Sequence, residues 1–98
     1  MQRTNEAFVY MVTNDQGTVL YTGSTSDLTE RIYFHQKGMI SGFTKKYNVH
    51  KLVYFERYED MASARKRERE LKGKTRAKKE AIIKHANPDF SELDPNNI

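Results

Sequence analysis

Ninety-eight residues, 37% hydrophobic and 31% charged, fit one small domain with a modest core and leave little room for a second. With no cysteine in the chain, disulfides, thiolate metal sites and cysteine nucleophiles are excluded. No apolar run reaches membrane-spanning length and MQRTNEAF lacks a signal-peptide core, so the expected setting is the cytoplasm with no membrane.

The segment FVYMVT (8–13) is rich in aromatic and β-branched residues and reads as a strand. NDQG follows as a turn and TVLYTG (18–23) as a second strand. A loop of two residues (15–16) or four (14–17) sets Tyr10 directly opposite Tyr21, with both phenols on one face. A three-residue loop would break that pairing. Taken alone, such a pair serves a core.

Asp27 is placed to cap a helix, with Glu30 three residues on in a capping-box arrangement, and Gly38 to end it. Leu28 and Ile32 mark the buried stripe. At about 100° per residue His35 falls about 20° from Leu28, and Arg31 about 60° on the same flank. Both side chains look along the seam between helix and sheet. There a lone histidine is commonly structural, and a lone arginine commonly snorkels.

ISGFTKKYNVH (40–50) is a short helix or irregular connection, and KLVYFERYE (51–59) a third strand. Asp60 caps a helix reaching about Lys72, where Gly73 ends it. Met61, Ala64 and Leu71 form its stripe, with Glu68 about 20° from Met61 and Glu70 on the opposite side. A carboxylate in a packed face needs a partner, and arginine and a metal ion both remain open. The last helix runs from Thr75 to His85 or Ala86 and stops at Asn87-Pro88. The order β-β-α-(α)-β-α-α implies an α+β fold, a three-stranded and at least partly antiparallel sheet flanked by helices. One domain over 1–98 is expected, with a core of about 7–93 and a flexible tail at 94–98.

The net charge of +4 is unevenly spread. Residues 65–79 hold nine lysines and arginines against Glu68 and Glu70, while NPDFSELDPNNI is acidic. Such a block can follow a phosphate backbone, although a charge run by itself is more often a solvated face. Arg67, Lys72, Lys74, Arg76 and Lys78, with Lys45 and Lys46, are the candidate nucleic-acid contacts.

The chain resembles the GIY-YIG nuclease family. FVY stands at the first motif, YTG at the second, and SDLTERIYFH follows; ARKRERELK supplies the acidic helix and NPDF the closing Asn-Pro. The resemblance covers about residues 7–93 and is strongest to small stand-alone bacterial members, which share a domain type with the excision-repair endonuclease UvrC. It implies a metal-dependent endonuclease cutting DNA, possible roles in repair or recombination, and one Mg²⁺ or Mn²⁺ ion. Carried over by position, Tyr10, Tyr21, Arg31 and His35 are catalytic, Glu68 is the metal carboxylate, and Asn87 and Ser24 are polar groups of the site. Tyr10 is then the base that takes a proton from water. DNA is the favoured partner and RNA is allowed. Phe8 replaces the first glycine, and Ser24 stands where some relatives carry a lysine. A nucleic-acid-binding module that cuts slowly or not at all is the alternative.

Overall fold

The computed structural model describes residues 6–40 and 42–97. The strand β1 (Ala7–Thr13) is buried along its whole length, and its alternation divides the core in two. Val9 and Met11 face Val53, Ala64, Leu71 and Ile83. Phe8, Tyr10 and Val12 face Leu28, Ile32, Val49 and Leu52. A strand buried on both sides belongs in the middle of a sheet. The order β2-β1-β3 puts it there, antiparallel to both β2 (Leu20–Thr25) and β3 (Lys51–Tyr58).

The helix α1 (Leu28–Gln36) covers one face; α3 (Met61–Lys72) and α4 (Arg76–Ala86) cover the other, and α2 (Phe43–Lys46) is a single turn before β3. Each long helix starts on the expected cap: Asp27 accepts from the Glu30 amide, Asp60 from Ser63 and Thr75 from Lys78. Gly38, at φ +66°, closes α1 in the left-handed region. The antiparallel α+β architecture and its element order are those expected.

The hairpin differs from its expected register. Tyr10 lies opposite Gly23, and Tyr21 opposite Val12. The cause is a longer loop, because the Asn14 side chain ties the turn together. Its Oδ1 accepts from the amides of Thr18 at 2.8 Å and Val19 at 3.2 Å, so pairing resumes only at Leu20. The slip is by two residues, an even number, so each side chain keeps its face. The two phenols remain on one side of the sheet as diagonal neighbours, ring centres 6.5 Å apart.

At the chain's end the Leu93 amide donates to the Leu52 carbonyl at 2.8 Å, and Pro95–Asn97 form a 3-10 turn beside α1. That turn takes up residues 95–97 of the expected tail, and Ile98 lies outside the described residues, as do residues 1–5 and Ser41.

Thr22 is buried with its hydroxyl unpaired. An unsatisfied buried hydroxyl is destabilising, and valine has nearly the same shape and favours strands. Thr22→Val is expected to raise the unfolding free energy by about 1 kcal/mol; a chemical-denaturation series checks this.

Candidate active site

Tyr10 is 1% exposed and His35 4% exposed. They meet through a 3.0 Å hydrogen bond between the Tyr10 hydroxyl and His35 Nε2. Burial, then the positive charge of Arg31, lowers the His35 pKa to about 4, so the imidazole is neutral at ordinary pH. A neutral imidazole nitrogen is a better acceptor than a phenol oxygen, which assigns the hydrogen to Tyr10 as donor. His35 Nδ1 is buried toward the Val49 backbone without a hydrogen bond of good geometry. Burial pushes the Tyr10 phenol well above its usual range; Tyr21 and Glu68 add to the rise, and the Arg31 guanidinium beside it opposes them. Tyr10 in this state keeps its proton and is a donor.

The Tyr10 ring lies directly over Gly23. A β-carbon at position 23 would come within 2.6 Å of the phenol oxygen and 2.7 Å of the ring carbon bearing it. Glycine in YTG is thus needed for close approach and not for a turn. Gly23→Ala is expected to displace the Tyr10 ring and break its bond to His35 while leaving the protein folded. The checks are near-ultraviolet circular dichroism and the loss of the paired Tyr10–His35 signals by NMR.

The second half of the site comes from the other face of the sheet. Tyr21 faces α1, whereas Ser24, paired with Val9, faces α3. The Ser24 hydroxyl donates to Glu68 Oε1 at 2.5 Å, and Lys72 Nζ lies 2.7 Å from Oε2. Burial works against ionising Glu68, but Lys72 and Ser24 hold its carboxyl below the usual range. Lys72 reaches round β2, an edge strand, to lie 5.7 Å from the centre of the Tyr21 ring. The site therefore straddles the sheet edge, with Tyr10, Tyr21, Arg31 and His35 on one side and Glu68, Ser24 and Lys72 on the other.

Beyond Tyr21 the aromatic surface continues. Phe43 stacks on Tyr21 with centres 6.4 Å apart, and Tyr47 packs on Phe43 at 4.9 Å. Both are exposed, with Lys45 and Lys46 on the same turn of helix and Lys46 over the Tyr47 ring. A cleft of about 370 Å³ lies apart from the site, lined by Asp15, Lys51, Glu80 and Lys84 among others, and shares none of its side chains. These side chains lie at the β2 edge of the sheet.

Three expected contacts are taken up by the fold. Asn87 donates to the carbonyls of Val53 and Ser91 at 2.9 Å each and accepts from the Ser91 amide, so it caps α4 and fixes the following turn. Arg67 is held by Glu56 at 3.0 Å and Glu70 at 3.3 Å, in a cluster with the hydroxyls of Tyr54 and Tyr58. Arg76 donates to the carbonyls of Gly17 and Thr18 and to Glu80, clamping the hairpin loop. Lys74 and Lys78 make no ion pair among the described residues. Gly23, Phe43 and Tyr47 were not singled out by the sequence; only the true register and the path of α2 bring them to the site.

No group of three or more His, Cys, Asp or Glu side chains that could hold a metal occurs among the described residues. Glu68 alone suits a hard cation that keeps most of its water, as magnesium does, and not a closed zinc site. No helix among the described residues is long and apolar enough to cross a membrane.

Residues 6–81 match the family model of the GIY-YIG catalytic domain. UPF0213 proteins of Staphylococcus aureus strains Mu3 and N315 are each 43% identical over 77 residues, which is 79% of this chain and 93% of theirs. The solution NMR structure of the UPF0213 protein BH0048 from Bacillus halodurans is 25% identical, with a TM-score of 0.56 over 94% of each chain.

Proposed function

The chain belongs to the GIY-YIG family, a nuclease-type family, and from that premise we propose that it is a metal-dependent endonuclease hydrolysing phosphodiester bonds in DNA. The observation that carries this is the meeting of two tyrosines, an arginine, a neutral histidine and a carboxylate at one sheet edge. Simple binding needs no such set.

Phosphodiester hydrolysis requires an oriented water, neutralisation of charge on the phosphoryl oxygens and help for the leaving oxygen. A Mg²⁺ or Mn²⁺ ion held by Glu68 would supply Lewis acidity and a template. Arg31 has no carboxylate partner among the described residues. Its guanidinium lies beside the Tyr10 phenol, and the donors not taken there can engage a phosphoryl oxygen. Tyr10 donates its own hydrogen to His35 Nε2, and its oxygen, beside the Arg31 guanidinium, would accept a hydrogen bond from the attacking water. Its raised pKa makes proton removal depend on added positive charge at the site. Tyr21, half-buried on the edge strand, positions the phosphate beside it.

The run Tyr21–Phe43–Tyr47 favours substrates that present unpaired bases, since stacking on exposed rings binds a single strand without reading its sequence. Phe43→Ala combined with Tyr47→Ala is expected to weaken binding of a single-stranded oligonucleotide at least about tenfold and of blunt duplex much less, measured by fluorescence anisotropy. The deciding experiment is a nicking assay over single-stranded, branched and duplex DNA and RNA, with Mg²⁺, Mn²⁺ or EDTA. Absence of metal-dependent cleavage on every substrate would sink the nuclease reading and leave a binding module.

A further inference from the structure

Lys72 contacts the one carboxylate that the site offers to a cation, and the fold has little need of that contact. The pair is an i,i+4 pair on a helix, its lysine 48% and its glutamate 19% exposed, and pairs of this kind add little to stability. Its geometry is more telling. Glu68 Oε1 is turned toward Ser24 on the sheet, and Lys72 Nζ takes the other oxygen, Oε2, at 2.7 Å. The same ammonium lies over the Tyr21 ring, on the far side of the β2 edge from its own helix. A cation arriving at Oε2 and the Lys72 contact exclude each other, and an ammonium released there stays beside the path of a phosphate.

Building on the nuclease reading above, we propose that Lys72 is a built-in cation that occupies Glu68 until a divalent ion displaces it, and that its ammonium then passes to the phosphodiester. One ion pair breaks while a carboxylate–metal and an ammonium–phosphate contact form, and no proton moves. The consequence is positive coupling: metal tightens nucleic-acid binding and nucleic acid tightens metal binding by the same factor. In the absence of metal, Lys72 screens Glu68 from an approaching phosphate.

The test uses Mn²⁺ and a phosphorothioate single-stranded oligonucleotide with wild type, Lys72→Met, Lys72→Arg, Lys66→Met and Glu68→Gln, each shown folded by circular dichroism. Mn²⁺ affinity is read by calorimetry without nucleic acid, and oligonucleotide affinity by anisotropy with and without Mn²⁺. Lys72→Met is expected to bind Mn²⁺ about fivefold more tightly than wild type, and to lose most of the tightening that Mn²⁺ gives to oligonucleotide binding. Lys66→Met, which removes the same charge from an exposed position of α3, should match wild type, and Lys72→Arg should stay close to it. Should Lys72→Met aggregate, Lys72→Gln gives the same readout. Equal Mn²⁺ affinity in wild type and Lys72→Met, with the site still lost in Glu68→Gln, overturns the role of Lys72 alone. Mn²⁺ binding that does not depend on Glu68 overturns the metal assignment, and this proposal with it.

Discussion

Glu68→Gln is expected to lower metal-dependent cleavage at least about a hundredfold per folded molecule while moving the melting temperature by less than about 5 °C. The two halves of this expectation rest on different contacts. Glutamine keeps the volume and a hydrogen-bond acceptor for Ser24, but removes the charge that a divalent ion needs. A carboxylate neutralising a buried arginine would make the same swap cost about 3–5 kcal/mol. The partner is instead Lys72, nearly half exposed, so the loss is that of a surface pair, about 0–1 kcal/mol. Glu70→Gln is the control on the same helix. Glu70 is half exposed, and Arg67 keeps Glu56 when Glu70 is changed. Thermal melts and nicking rates for the three proteins decide the matter. A Glu68→Gln protein that melts far earlier, yet cuts normally per folded molecule, would make Glu68 a structural residue.

Helix phase placed Glu68 inward and Glu70 outward, and caps at Asp27, Asp60 and Thr75 fixed where helices begin. Those features are local, so they are legible from neighbours in sequence. The hairpin register was not, because it depends on one side chain, Asn14, binding amides farther along than a tight turn would reach. The face shared by Tyr10 and Tyr21 was still predictable, since only an odd slip could separate them. Basic residues were the least legible. Charge alone does not tell Lys78, which pairs with no carboxylate among the described residues, from Arg76, whose donors are taken by the hairpin and Glu80. That distinction lies in contacts between residues far apart in the chain. The same holds for Asn87: its place before proline marks the end of α4, but the Val53 carbonyl that claims its side chain is invisible until β3 is in place.

The second large effect is a pH dependence of stability that His35→Gln should reduce. In the fold, burial and Arg31 hold the imidazole at about 4, against about 6.5 in the unfolded chain. Between these values the unfolded chain takes up a proton that the folded one refuses, so stability falls as pH drops from 6.5 to about 4 and this loss is complete below that. Above 6.5 the imidazole is neutral in both states and contributes no slope. The full difference is roughly 3 kcal/mol. Glutamine at 35 cannot titrate, so the variant should lose less over the same interval, whatever constant offset the substitution brings. Glu56, Asp60 and Glu68, held below their usual range, also weaken the fold in acid, but they do so in both proteins and cancel in the comparison. Denaturation midpoints at pH 7 and 4.5 measure the effect. Arg31 repels a protonated imidazole, and Tyr10 can no longer donate to Nε2 once that nitrogen carries hydrogen. The Tyr10–His35 hydrogen bond of the wild type should therefore persist to pH values well below 6.5. Equal stability losses in wild type and His35→Gln would mean that the imidazole titrates alike in both states, and the hydrogen bond that orients Tyr10 would then have no neutral acceptor to depend on.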